Sequence, residues 1–149
     1  MAAPFRYEAA PVAGVFLVSG FVAGTDDRAV AIEDEAGLAD AIAAAVLAVD
    51  RRLAGDEFRF LRVRLDLSLA ELSALFGIAE EKLGRWERDE AAIAGSADRL
   101  LRALYVERTQ GRAAVQHIAK SLARGYDAPR RPYWFQRGDG VWRAVPADD

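Results

Sequence analysis

The chain has no cysteine and only one histidine among its 149 residues. Without thiols there is no disulfide, no thiolate metal site and no cysteine nucleophile, so stability must come from packing. His117 alone cannot build a zinc centre, and no clustered carboxylates stand in for the missing ligands. Neither a metal nor a cofactor is expected. Long apolar runs are missing too: the stretch from Val12 to Val22 is broken by alanine, glycine and serine, lacks a basic leader directly before it and is too short to span a bilayer. This points to a cytoplasmic protein. No Ser/His/Asp order, phosphate-cradling glycine loop or metal-ligand spacing is present. His117 lies among Val115, Ile118 and Leu122, which suits a partly exposed helix histidine better than a general base. An enzyme is therefore not expected.

An excess of positive charge is also lacking. The net charge is −3. Residues 1–54 hold four bases against eight acids, residues 55–108 nine against eleven, and residues 109–149 seven against four. Nucleic-acid-binding domains usually carry a positive balance, and only the last of these segments does.

What is present is the make-up of an ordinary globular chain, 52% hydrophobic and 29% charged. Phe5, Tyr7, Val15 to Val18, Phe21 and Val22 favour strands, and Ala29 to Glu33 follows a turn-rich segment, so residues 5–33 are expected to form a small antiparallel sheet. Asp34 caps an expected helix to about Arg52, with Leu38, Ile42, Val46 and Val49 along one face. Asp56 and Glu57 suit the start of a second helix, whose inward stripe is Phe58, Leu61 and Leu65. Ser68-Leu69-Ala70-Glu71 is a capping box that opens a third, and Gly77 suits its left-handed end. A fourth runs from about Glu80 to Arg88 with Leu83 and Trp86 inward. Gly95-Ser96 opens a fifth that stops at Gly111, and a further helix is expected from Arg112 to Arg124. Pro132 then leads into Tyr133-Trp134-Phe135, a Gly138-Asp139-Gly140 turn and Val141-Trp142-Arg143, which read as a β-hairpin. The expected class is mainly α with small β elements. Its expected divisions are residues 1–53, 54–110 and 111–149.

Two short helices joined through Gly77 make a helix-turn-helix. Phe58 to Arg62, Leu67 to Ile78 and Leu83 to Glu87 together resemble the core of the phage-repressor-like (XRE) superfamily. Arg85-Trp86-Glu87 and Ser96 to Leu101 are similar to its MqsA/HigA-like antitoxin branch, as are Phe5-Arg6-Tyr7, Val15-Phe16-Leu17 with Gly20-Phe21, and Gly140 to Arg143. The branch often carries zinc-binding cysteines near its N-terminus; Ala10 stands where relatives have one. The resemblance implies a lambda-repressor-like bundle in which Arg62 pairs with Glu87. It also implies a homodimer on double-stranded operator DNA that represses its own operon, with a toxin as partner.

On that reading the fourth helix lies in the major groove and the third meets phosphate through its N-terminus. The residues so assigned are Ser68, Leu69, Ala79, Glu80, Glu81, Lys82, Arg85 and Arg88, with Gly84 on the same exposed face. Relatives have glutamine where Leu69 stands. Ala79 lacks a capping side chain, and Glu80 and Glu81 face a polyanion. Arg59, Arg62, Arg64, Arg88, Arg99 and Arg102 are candidates for a phosphate-facing flank. The alternative is a scaffold whose acidic face binds a basic protein: a toxin, an RNA polymerase subunit or another regulator. In the hairpin, Arg130, Arg131, Arg137 and Arg143 alternate with Tyr133, Trp134, Phe135 and Trp142. That pattern fits stacking on single-stranded nucleic acid, and equally fits cross-strand pairs, burial against helices or a dimer seam.

Overall fold

The computed structural model describes residues 4–24, 29–111 and 126–146, together with Ile118 and Leu122. The expected turn at residues 25–27, His117 and most of the helix expected over residues 112–124 lie outside them. The fold is mainly α with small β elements. Strands β1 (Phe5–Arg6), β2 (Val15–Leu17), β3 (Phe21–Ala23) and β4 (Ala29–Ile32) precede helices α1 (Glu35–Ala48), α2 (Gly55–Arg64), α3 (Leu69–Phe76), α4 (Glu80–Glu87) and α5 (Gly95–Gln110). Strands β5 (Tyr133–Gly138) and β6 (Val141–Val145) follow. No described helix is long and apolar enough to cross a membrane.

Two compact units divide the chain. One comprises residues 1–48 and 130–149, the other residues 49–129. The expected divisions followed the order of elements, whereas the units follow contacts, because the C-terminal hairpin joins the N-terminal strands. The order of the larger sheet is β1-β2-β5-β6, with β2 parallel to β5 and the other pairs antiparallel. The expectation of one antiparallel sheet over residues 5–33 is thereby corrected. One edge of β2 is filled by β1 and the other by β5, so β3 and β4 pair only with each other. Asp139 and Gly140 are both left-handed, at φ 53 and 74, as a tight two-residue hairpin turn requires.

Alternation sorts the sheet's side chains. Val15, Leu17, Phe135 and Trp142 are buried, as are Leu38, Ile42 and Val46 on α1, which packs beside β6. Gly20 must be glycine: its φ is +83, and a Cβ there would stand 2.5 Å from the Trp142 ring. The Trp142 indole N–H donates to the Glu33 carbonyl at 2.9 Å, tying β6 to the end of β4.

Helix α1 begins as expected, with the Asp34 carboxylate accepting from the Gly37 N–H at 3.1 Å. It ends at Ala48 instead of continuing to Arg52. Beyond its last residue, the carbonyls of Val49 and Arg51 accept hydrogen bonds from the Arg102 guanidinium. A buried guanidinium demands acceptors, and an unwound turn supplies them.

Candidate nucleic-acid interface

Within the unit of residues 49–129, α2, α3 and α4 close around Phe58, Leu61, Leu65, Leu72, Leu83 and Trp86, all buried. Phe58 meets Trp86 edge-to-face, with ring centroids 5.9 Å apart. Leu67, Phe76 and Ile78 are half-buried at the rim of this core. Ser73 lets α3 approach its neighbour, and its hydroxyl donates to the Ile78 carbonyl at 2.6 Å.

The ends of α3 follow local chemistry. Ser68 Oγ accepts from the Glu71 N–H at 3.0 Å, and the Glu71 carboxylate accepts from the Ser68 N–H at 3.2 Å. Two otherwise orphaned donors are satisfied reciprocally. At the other end Gly77 is left-handed, with φ 67, and its N–H donates to the Ser73 carbonyl. This turn sets the direction of α4.

Two contacts hold α4 against α2. The Arg62 guanidinium grips the Glu87 carboxylate in a fork, Nε to Oε2 at 2.6 Å and Nη2 to Oε1 at 2.9 Å, while Nη1 donates to the Leu67 carbonyl at 2.8 Å. Both side chains are close to nine-tenths buried. The second contact is backbone against backbone. A Cβ on Gly55 would collide with the Trp86 carbonyl oxygen and lie 2.7 Å from that of Glu87. Asp89, where a left-handed glycine is usual, takes φ 57 and accepts from the Gly55 N–H at 2.8 Å. The side-chain bond offsets the cost of the left-handed backbone.

The fork and the glycine contact leave Ala79, Glu80, Glu81, Lys82, Arg85 and Arg88 exposed on and beside α4, with Ser68 exposed and Leu69 half-buried at the start of α3. Gly84, expected on this face, is instead buried next to the Arg88 side chain. The cations here are occupied. Arg85 pairs with Glu81 at 2.7 Å, Arg88 with Glu90 at 3.0 Å, and Lys82 lies over the Trp86 ring at 5.9 Å. The hydrogen bond from Arg88 and its charge hold the Glu90 carboxyl below the usual carboxylate range. All of these pairs are on the surface, where such contacts are weak and open readily to a better partner.

The proposed phosphate-facing flank is corrected in part. Arg102 is 2% exposed and binds Asp98, Nε to Oδ1 at 2.5 Å, so it cannot reach a ligand. Arg62 is committed to Glu87. Arg99 donates to the Gly95 carbonyl and lies over the Tyr126 ring at 4.8 Å. Arg59, Arg64 and Arg88 remain exposed, with Arg64 donating to the Tyr105 hydroxyl at 2.8 Å.

Asp98 and Arg102 belong to a buried polar network that composition and periodicity did not reveal. Asp98 also accepts from the Leu53 N–H at 3.1 Å and from the Tyr126 hydroxyl at 2.5 Å. Nearby, Arg51 forks onto fully buried Glu57 at 2.8 and 3.0 Å, and Glu57 accepts from the Ala54 N–H as well. Arg52 stacks on Tyr126 at 4.5 Å, and its side chain donates to the Ile93 carbonyl. Burial, then the hydrogen bond to Asp98, pushes the Tyr126 hydroxyl well above the ordinary tyrosine range. The i, i+4 spacing of Asp98 and Arg102 on α5 was the signal available in the sequence.

No family model matches the chain, and no curated protein or solved structure matches it. Among the described residues there is no group of histidine and carboxylate side chains placed to hold a metal ion.

Proposed function

We propose that this chain is a helix-turn-helix transcriptional regulator that lays α4 in the major groove of operator DNA and sets the N-terminus of α3 against phosphate. One observation carries the reading: the Arg62–Glu87 fork and the Gly55 contact anchor α4 along its inner side while its outer side stays exposed. A reading helix must be accessible and fixed at its base, and the exposure and anchoring contacts of α4 support both. Lys82 and Arg85 are the cations that would face DNA. Arg85 is released from Glu81 at little cost because the pair is surface-exposed. The extension of this reading is autorepression by a homodimer on a palindromic site, with a toxin as the antitoxin-like partner.

A second reading has its own observation. Glu80 and Glu81 project from α4 and the neighbouring cations are already paired, so the face suits a basic protein surface as well as a groove. The two readings separate in one experiment. The purified chain is titrated against its own promoter fragment at two salt concentrations, with unrelated DNA as competitor. Specific binding that weakens steeply with salt supports the DNA reading. Absence of binding at low salt rejects it and leaves the protein-docking scaffold.

A further inference from the structure

The register of the four-stranded sheet places Arg6, Phe16, Trp134 and Val145 in one row crossing β1, β2, β5 and β6. Gln136 and Arg143 pair in a neighbouring row on the same face. This is the face opposite Val15, Leu17, Phe135 and Trp142, which are buried. Arg6, Gln136 and Arg143 are exposed, and Phe16 and Trp134 are half-buried. The hairpin's mixture of basic and aromatic residues is thus sorted: Tyr133, Phe135 and Trp142 turn inward, while Trp134 and Arg143 turn outward.

Three features of the outward face point to a ligand of defined chemistry. The Phe16 and Trp134 rings are stacked, with centroids 4.7 Å apart and planes inclined by 15°. Neighbouring strands are about 4.8 Å apart, so the rings lean together along the row as the first two members of a stack that another flat ring can extend. The Trp134 indole N–H is buried and has no hydrogen-bond partner among the described residues. The face is also purely cationic in its formal charge, because none of the four strands carries an acidic residue. Arg143 has no ion-pair partner among the described residues, and Arg6 approaches Glu8 only to 4.0 Å with both side chains largely in solvent.

We propose that this sheet face binds single-stranded nucleic acid. Bases extend the Phe16–Trp134 stack, and phosphates meet Arg6 and Arg143 on the two outermost strands. Those two strands lie three strand spacings apart, roughly 14 Å, so a polynucleotide crossing the row meets charge, then stacking, then charge. A duplex does not fit, because its bases are already stacked on one another. The inference is independent of the role of α4.

The test uses the full chain and an oligothymidylate of about 20 nucleotides, read by tryptophan quenching at about 50 mM salt, where phosphate contacts are strong. Trp86 and Trp142 are buried, so quenching reports on Trp134. The expected result is saturable quenching that a duplex of equal length does not reproduce. The exposed double change Arg6→Glu with Arg143→Glu then weakens binding about tenfold or more, and Phe16→Leu weakens it roughly fivefold, the lower end for losing one stacking contact. Arg85→Ala on α4 leaves the quenching unchanged, which separates this face from the helix-turn-helix. No quenching at low salt, or an unchanged affinity in the arginine double variant with its circular dichroism intact, overturns the proposal.

Discussion

Replacing Arg62 with alanine removes one guanidinium and strips partners from both Glu87 carboxylate oxygens and from the Leu67 carbonyl. A fully buried carboxylate left without its partner costs about 3–5 kcal/mol. The two side chains are 11% and 7% exposed, so solvent recovers a little of this, and the expected loss is about 2–4 kcal/mol. With a urea slope of about 2 kcal/mol per molar, the unfolding midpoint falls by about 1–2 M. Fluorescence of Trp86, which packs on Phe58 in this core, follows the transition, while circular dichroism follows the whole chain. The double change Arg62→Met with Glu87→Leu removes both charges and recovers much of the loss, because well-packed apolar groups replace a buried pair at little or no cost. An unchanged midpoint in Arg62→Ala refutes the reasoning. So does a double variant no more stable than the single, since the damage would then come from lost packing.

Three further outcomes are expected. Gly55→Ala destabilises the protein by about 1–3 kcal/mol through collision with the backbone of α4, whereas Gly84→Ala stabilises it by about 0.5–1 kcal/mol, its only near neighbour being the mobile end of Arg88; thermal unfolding of the two variants checks the opposite signs. The raised Tyr126 pKa means the folded state holds this proton more tightly than the unfolded chain. Stability from this group is therefore full below about pH 10, the ordinary tyrosine value, and declines above it; denaturation midpoints measured through that range should fall less steeply in Tyr126→Phe. Glu80→Gln with Glu81→Gln strengthens nonspecific duplex binding at low salt by relieving repulsion, which anisotropy with unrelated DNA measures; an unchanged affinity means α4 does not approach the phosphates.

Sequence reasoning found what local chemistry encodes and missed what distant pairing decides. The Ser68 box, the left-handed Gly77 and Gly111, and the limits of α4 each depend on residues within one or two turns, and all are visible in the chain. The helix-turn-helix resemblance placed Ala79, Glu80, Glu81, Lys82 and Arg85 on an exposed face, where they lie, and also Gly84, which is buried. The parallel pairing of β2 with β5 was not legible, because alternation in a hairpin looks the same whether its outer edge is free or paired. Arg102 reads as a surface cation in the sequence because arginine is seldom buried. Its acceptors at Val49 and Arg51 come from another element, so only the fold brings them together.

The network around Tyr126 bears on how the chain assembles. The Arg52 N–H donates to the Tyr126 carbonyl at 2.7 Å, so the two ends of the segment spanning residues 49–129 are fastened side by side. Parallel strands β2 and β5 flank that segment in the chain, and joining them across an unfolded stretch of such length would cost roughly 4 kcal/mol in loop-closure entropy. Once the helical segment has folded, the clasp at Arg52 and Tyr126 shortens the effective loop from about 115 residues to about 40, those of β3, β4 and α1 included, and lowers the closure cost by about 1 kcal/mol. The folded helical segment thereby favours the pairing of β2 with β5 by about fivefold over a chain in which that segment has opened. Damage at Asp98 or Tyr126 should then be felt as fraying of a sheet that neither residue belongs to.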